Sequence, residues 1–392
     1  MIKKTKPPNL SDKKIIIISH VFASGPAQAL LKYTTEINSA GEVLFIGHPL
    51  FYQPQNKFGS FSELYLADKQ VKKKTIKNFK LPPVPAFIKD LIFSVYWVVK
   101  SGKRWDLIIC ANNLNSLAGI ILRQLGRVKK VIFYTVDYIP LRFKNRFLNE
   151  SYHLIDRLCA YWANEIWNLS PRMEIARRKY RGIKTKPGKQ KVVPMGIWLK
   201  GIKRLPFNKI EKHTLVFMGH LIEKQGVQFV IKAMPGIIKK IPDFKFLIIG
   251  TGEYENQLKK LAKKLNLEKN IEFTGYVKSH EEMENMMARC ACGIALYQQG
   301  DKQRNFTYYA DPGKIKDYLG AGLPIILTDV PHNARQLVKN ECGIIVKNDS
   351  KDIARAIIGF LGNEKKLRKY RQNALSYIKD FDWNVIFNQY LI

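Results

Sequence analysis

Residues 310–330 read ADPGKIKDYLGAGLPIILTDV, and this stretch marks both ends of a helix and the strand after it. Asp311-Pro312-Gly313 opens the helix, because a proline at the start gives up only an N–H that has no partner inside the helix. Gly322-Leu323-Pro324 closes it. Ile325-Ile326-Leu327 then runs apolar without alternation, as a strand does when both sheet faces are covered by helices.

Working outward, short β-branched runs alternate with longer helical patterns along the whole chain, which predicts βαβ units feeding parallel sheets. Before residue 200 the strands are expected in KKIIIISH, GEVLFIGH, DLIICAN, KKVIFYTVD, EIWNLS and KVVPMG; beyond it, in TLVFMGH, KFLIIGTG, NIEFTGYV, CGIALY, PIILTD and CGIIVKN. Two similar sets imply two doubly wound α/β domains. Between them, residues 196–213 are basic, contain Gly201 and Pro206 and show no periodicity, so the boundary is set near residue 205. The expected division is 1–205, 206–380 and a terminal helix, 381–392, whose Trp383, Ile386, Phe387 and Leu391 fall at helical spacing. In open sheets of this type ligands bind at the C-terminal strand ends, here at a cleft that two such domains would face.

A chain of 392 residues fits two or three domains, and 46% hydrophobic with 25% charged residues is the composition of a folded protein. The formal charge of +34 is uneven: residues 1–200 hold 35 basic and 12 acidic side chains, the remainder 31 and 20. Such an excess draws acidic and phosphate-bearing partners. The five cysteines, Cys110, Cys159, Cys290, Cys292 and Cys342, lack paired spacing, which suits reduced thiols and a cytoplasmic setting; neither they nor the seven histidines space as metal ligands. After the basic N-terminus the apolar run Ile15–Ile18 is too short for a signal peptide, and no uncharged stretch approaches the roughly 18 residues of a spanning helix.

Chemistry is expected at a few turns. Gly313 allows close approach of a ligand to free N–H groups at a helix start, Lys314 adds a mobile charge, and Asp317 follows on the same turns, where it either accepts from a ribose diol or pairs with Lys314. Gly250-Thr251-Gly252 follows a strand, but Glu255 replaces the third glycine of a dinucleotide fingerprint, which argues against NAD. Ser24-Gly25-Pro26 opens a helix after the first strand and suits either an anion or a plain turn. Asp137 ends a strand and is a candidate to orient or deprotonate an acceptor hydroxyl. His20 also ends a strand, where a satisfied structural role is favoured. Residues 85–105, with Phe87, Leu91, Ile92, Val95, Trp97 and Val98 between Lys-rich flanks that include KKKTIKNFK, read as a core helix or as a surface that docks on anionic lipid.

Several ordered segments, VVPMGIW, VFMGHLIEKQGVQFVIKAMPGI, KFLIIGTGEYENQLKKLAKKL, NIEFTGYV and DYLGAGLPII, resemble the family 4 glycosyltransferases and their GT-B relatives, most closely over residues 190–380. The resemblance implies a GT-B fold with the C-terminal helix packed back on the N-terminal domain, which binds the acceptor, while the C-terminal domain holds a nucleotide sugar. His220 stands at the family's pyrophosphate arginine and Gln225 at its lysine, with Lys224 one residue earlier. Asp317 matches the ribose-binding second glutamate; Tyr309 stands at the first, leaving Asp311 as the nearest acid, either on donor sugar hydroxyls or capping the helix. Tyr276 falls where relatives hold the base.

The expected activity is transfer of a sugar from a UDP- or GDP-linked donor to a glycan or lipid-linked acceptor with retained configuration, in polysaccharide or glycoconjugate synthesis. N–H groups near Gly313, Lys314, Lys224 and the Gly25 turn would stabilise the leaving diphosphate, with no cofactor or metal. The location is cytoplasmic, with peripheral attachment to the inner membrane face. A nucleotide-sugar epimerase and a basic nucleic-acid-binding protein are the rival readings, the latter without a recognisable module.

Overall fold

The computed structural model describes residues 6–20, 25–50, 59–77 and 81–391. Ser24 of the first glycine turn and residues 78–80 of the Lys-rich run lie outside them. The chain forms two compact units, residues 1–194 with 383–392, and 195–382. The crossing therefore falls at Pro194–Met195 and not near residue 205. Sequence reading missed this because 195–205 lacks periodicity, yet it is tied to the second unit: Ile197 N donates to Phe381 O and Leu199 N to an Asp382 carboxylate oxygen.

The first unit is built on a sheet of eight strands: β1 (Lys14–Ser19), β2 (Glu42–Gly47), β3 (Phe61–Leu66), β4 (Lys69–Thr75), β5 (Trp105–Ala111), β6 (Val128–Thr135), β7 (Glu165–Asn168) and β8 (Gln190–Val192). Their order is β4-β3-β2-β1-β5-β6-β7-β8. All neighbours are parallel except β2-β3 and β3-β4. The six strands expected from the sequence are present. The antiparallel β3-β4 edge was not foreseen: Lys72, Lys73 and Lys74 of the expected Lys-rich flank lie in β4, an exposed edge strand whose charges discourage pairing with a further chain.

In the second unit β9 (Thr214–Met218), β10 (Lys245–Ile249), β11 (Ile271–Gly275), β12 (Cys292–Ala295), β13 (Ile325–Leu327) and β14 (Gly343–Ile345) form an all-parallel sheet in the order β11-β10-β9-β12-β13-β14. Its two faces are covered by separate apolar cores. One is centred on Phe217, Phe246 and Ile294, the other on Val216, Leu247 and Tyr318. Alternate residues of one strand serve opposite cores, which is why these strands read as continuous apolar runs.

The terminal helix Trp383–Tyr390 packs within the first unit. Phe387 stacks on Trp383 at 4.9 Å and tilts against Tyr33 at 5.3 Å, Tyr390 meets Trp167 at 6.2 Å, and the Tyr33 hydroxyl donates to Asn388 Oδ1. Phe387 is fully buried. Phe387→Ala should therefore cost about 3–5 kcal/mol, the usual loss for a buried aromatic, and denaturant unfolding monitored by Trp fluorescence should show the loss in the first unit. A variant as stable as the parent would contradict this packing.

Candidate functional site

In an open α/β sheet the groove for a ligand opens where strand order reverses. In the second unit that point lies between β9 and β12, and the Lys314 side chain reaches Phe217 and Tyr297 near the ends of those strands. Its ammonium sits 4.3 Å over the Phe217 ring and 5.5 Å from the Tyr297 ring. It donates to Gln225 Oε1 at 2.7 Å rather than to Asp317, so the expected ion pair is replaced by a neutral acceptor. Desolvation lowers the Lys314 pKa to about 7, and the nearby Asp317 charge only partly opposes this. A lysine held this way gains from any anion placed beside it.

The glycines around it are shaped for close packing. Gly219, at φ +140°, could not carry a Cβ without bringing it to 2.9 Å from Lys314 Nζ. Gly250, at φ +129°, backs directly onto the Gly219 carbonyl, and a Cβ on Gly252 would strike Leu221 O. The Gly250-Thr251-Gly252 turn thus buttresses the β9 turn, with Gly219 N and Leu221 N donating to Ile249 O and Thr251 O at 2.9 Å each.

Lys314 is carried by the helix Gly313–Gly320, whose N-cap Pro312 makes no side-chain cap. The first N–H groups of a helix have no partner within it, so those of Gly313 and Lys314 point outward. A Cβ on Gly313 would meet only the Met195 side chain, at 3.9 Å, so the approach is open. The helix is fixed from behind by Tyr318, whose hydroxyl accepts from Met218 N at 2.8 Å. Asp317, one turn on from Lys314, has its carboxyl pushed up to about 6 by burial. Glu284 adds to that shift, and His280 and Lys314 oppose it.

Asp311 does neither of the two things expected of it. It is 2% exposed, and its carboxylate accepts from Met195 N at 2.9 Å, Lys316 Nζ at 2.8 Å and Asn333 Nδ2 at 3.2 Å, with His332 Nε2 at 3.5 Å. It is neither a helix cap nor open to a sugar; it is a buried brace that positions the turn leading to Gly313. Its partner Lys316, also buried and lying 4.3 Å over the Phe381 ring, was not singled out, because in sequence it looks like one more surface lysine.

The other expected residues sit further out. His220 and Lys224 are exposed, on the turn after β9 and in the short 3₁₀ segment Glu223–Gln225; Lys224 O accepts from Gln298 N. Tyr276 is 72% exposed beyond Gly275. The site residues that sequence reading passed over are Gln225 as a direct partner of Lys314, and Phe217 and Tyr297 as its floor. Both rings fall at strand ends, which was the available signal.

The first unit holds the rest. Gly25 is the extended N-cap of the helix Pro26–Lys32 and needs no special backbone freedom. Asp137 follows β6 and is engaged by Arg142 at 2.8 Å, so its carboxylate is a paired group rather than a free base. His20 Nε2 lies 3.3 Å from the buried carboxylate of Asp90, with His48, Ser60 and Ser94 in the same buried cluster. The five cysteines are buried free thiols.

Residues 203–377 match the glycosyl transferases group 1 family. The chain is similar to the phosphatidyl-myo-inositol mannosyltransferase of Mycobacterium leprae, 25% identical over 206 residues that make up 50% of this chain and 51% of that one. It spans between 17% and 58% of the length of the curated relatives it matches. Its fold is similar to that of sucrose-phosphate synthase from Thermosynechococcus elongatus, with a TM-score of 0.69 at 17% identity over 95% of this chain and 96% of that one. It is also similar to HepE of Anabaena, solved in complex with UDP, with a TM-score of 0.65 at 15% identity over 96% and 98%. Residues 203–377 are thus a domain of the glycosyl transferases group 1 family, set in a chain with the GT-B fold.

Proposed function

We propose that the protein is a glycosyltransferase that moves a sugar from a nucleotide diphosphate sugar to a glycan or lipid-linked acceptor, with retained configuration, in polysaccharide or glycoconjugate synthesis. The observation that carries this reading is the Lys314 ammonium, held without a carboxylate partner at the strand-order reversal beside the open helix start at Gly313. In this reading the donor diphosphate lies on the Gly313 and Lys314 N–H groups and on Lys314 Nζ. As the anomeric C–O bond breaks, these groups take up the charge that collects on the departing diphosphate. Exposed Lys224 and His220 reach the same phosphates from the β9 turn, Asp317 accepts from the ribose diol, and Tyr276 covers the base.

The likeness to HepE with UDP supports a uridine donor, and the likeness to a phosphatidyl-myo-inositol mannosyltransferase supports a lipid-linked acceptor. Acceptor binding is assigned to the first unit, with the Gly25 turn as a further anion contact and Asp137, released from Arg142, orienting the acceptor hydroxyl. The reaction uses no cofactor. Among the described residues no helix is long and apolar enough to cross a membrane, and the protein works in the cytoplasm against the inner membrane face.

Donor-binding and product measurements test this reading. Donor binding needs Lys314 charged, which is lost as pH rises through about 7, and Asp317 ionised, which is lost as pH falls through about 6. UDP affinity by calorimetry should therefore peak between these values and fall by up to about tenfold per pH unit on either side. Lys314→Arg should flatten the alkaline limb and Asp317→Asn the acid limb, while Lys314→Ala should lose UDP stabilisation in a thermal shift. An alkaline limb unchanged in Lys314→Arg would remove the lysine from the site. NMR of the first-formed product should show the donor's anomeric configuration; an inverted product would end the retaining assignment. Conversion of donor sugar without any acceptor would favour an epimerase.

A further inference from the structure

Two helices of the first unit bury polar side chains and leave an apolar stripe exposed. The helix Arg146–Trp162 buries Asn149, His153 and Asp156 beside Cys159 and Ala160 and exposes Phe147, Leu154, Leu158 and Trp162, which are 78%, 57%, 40% and 50% exposed. The helix Pro83–Lys100 buries Asp90 and Ser94 beside Trp97 and Val98 and exposes Val84, Ile88, Ile92, Tyr96 and Val99. The stripe read from the sequence as a core helix or a docking surface divides between the two: Trp97 and Val98 belong to the core, while Ile92 is exposed.

The inward polar groups have partners that explain their burial. Asp156 binds both ends of the Arg177 guanidinium, at 2.8 and 2.9 Å. Asn149 Oδ1 accepts from Arg142 N at 2.8 Å, and His153 hydrogen-bonds Pro140 O at 2.8 Å. Asp90 is held by Ser60 and Lys89, both at 3.1 Å. Nothing of that kind explains the outward aliphatic side chains. A surface helix normally turns its apolar stripe to the core, and a broad exposed patch marks a place where something else covers it.

The two stripes are one surface. The helix Asn112–Gln124 packs between the others, and its Ile121 lines a groove with Val95, Tyr96 and Val99 on one side and another with Leu158 and Trp162 on the other. The charges on this face are one-sided. The three helices contain only three acids, of which Asp90 and Asp156 are buried and Glu150 is paired with Arg181 at 2.9 Å. Lys100, Lys144, Arg146 and Arg157 are exposed on the same helices and the turn before the last one.

We infer that this three-helix face docks on the surface of an anionic phospholipid bilayer, lying flat with Ile92, Ile121, Leu158 and Trp162 in the headgroup boundary. The observations favour lipid over protein: apolar side chains form a broad shallow band, aromatic Tyr96, Tyr161 and Trp162 lie within it, and the cations around it have no matching acids. This is the pattern of an interfacial rather than a spanning element. The inference deepens the reading of a lipid-linked acceptor and rests on it only for its purpose, because docking is measured without donor or acceptor.

The test is co-sedimentation of the full chain with vesicles of phosphatidylcholine alone and of phosphatidylcholine mixed with phosphatidylglycerol. The protein should sediment with the mixed vesicles, not with the neutral ones, and less as salt rises. Ile92→Glu with Leu158→Glu should lower binding by at least about tenfold while leaving the thermal melt and the UDP-induced shift as in the parent. Lys144→Glu with Arg157→Glu should also weaken binding, by about fivefold per charge removed. No binding to the mixed vesicles, or equal binding by the Ile92→Glu, Leu158→Glu variant, would overturn the inference. So would a dimer in size-exclusion chromatography that this variant breaks, since a second copy would then cover the face. Loss of the UDP shift with vesicle binding intact would instead count against the donor site alone.

Discussion

The candidate site depends on a cation kept partly out of water with, among the described residues, no carboxylate in contact to balance it. Lys314 has an amide oxygen, two aromatic rings and a glycine turn around its ammonium, and burial has brought its proton affinity close to neutrality. Taking a charge out of water is costly unless a counter-charge repays it. The groups that touch the Lys314 ammonium are neutral, and Asp317 one turn on offsets its desolvation only in part, so the rest of the repayment is left to a ligand. Gly219, Gly250 and Gly252 give up side chains so that two strand ends can close under it, and Tyr318 and the Asp311–Lys316 pair hold the helix that carries it.

Two lysines two residues apart show how burial, not residue type, sets the role. Lys316 is completely enclosed but has Asp311 at 2.8 Å, and the pair is a brace for the turn before Gly313. Lys314 has no such partner and faces the open helix start. Removing Asp311 would leave Lys316 as an uncompensated buried charge, which is the costly case. The brace therefore belongs to stability and the neighbour to binding, although in sequence both stand as ordinary lysines of one short helix.

Much of this was legible beforehand. The parallel strands announced themselves mostly as apolar runs, because a strand covered on both faces has no reason to alternate; the half-buried edge strand β8, Gln190–Val192, is the exception. Gly313, Lys314 and Asp317 were legible because proline and glycine mark where a helix begins and ends. The fate of Asp311 was not, since its partners Met195 and Asn333 are distant in sequence and only folding brings them to its carboxylate. The β3-β4 edge was hidden by its lysines. Residues 85–105 were read as an apolar helical stripe without a sign, since periodicity does not say which side faces inward and the Asp90 cluster decided that by recruiting the polar side; the helix Arg146–Trp162 was not singled out.

The central claim is that Lys314 is a charge waiting for a diphosphate. The direct measurement is an NMR titration of the lysine side chains with carbon-13 at Cε, the Lys314 signal being assigned by its absence in Lys314→Arg. In the free protein that resonance should titrate near 7, far from the other lysines, and saturating UDP should move its midpoint upward by more than one pH unit, because an adjacent anion favours the charged form. A Lys314 signal that titrates with the surface lysines, or one that UDP leaves in place, would contradict the account.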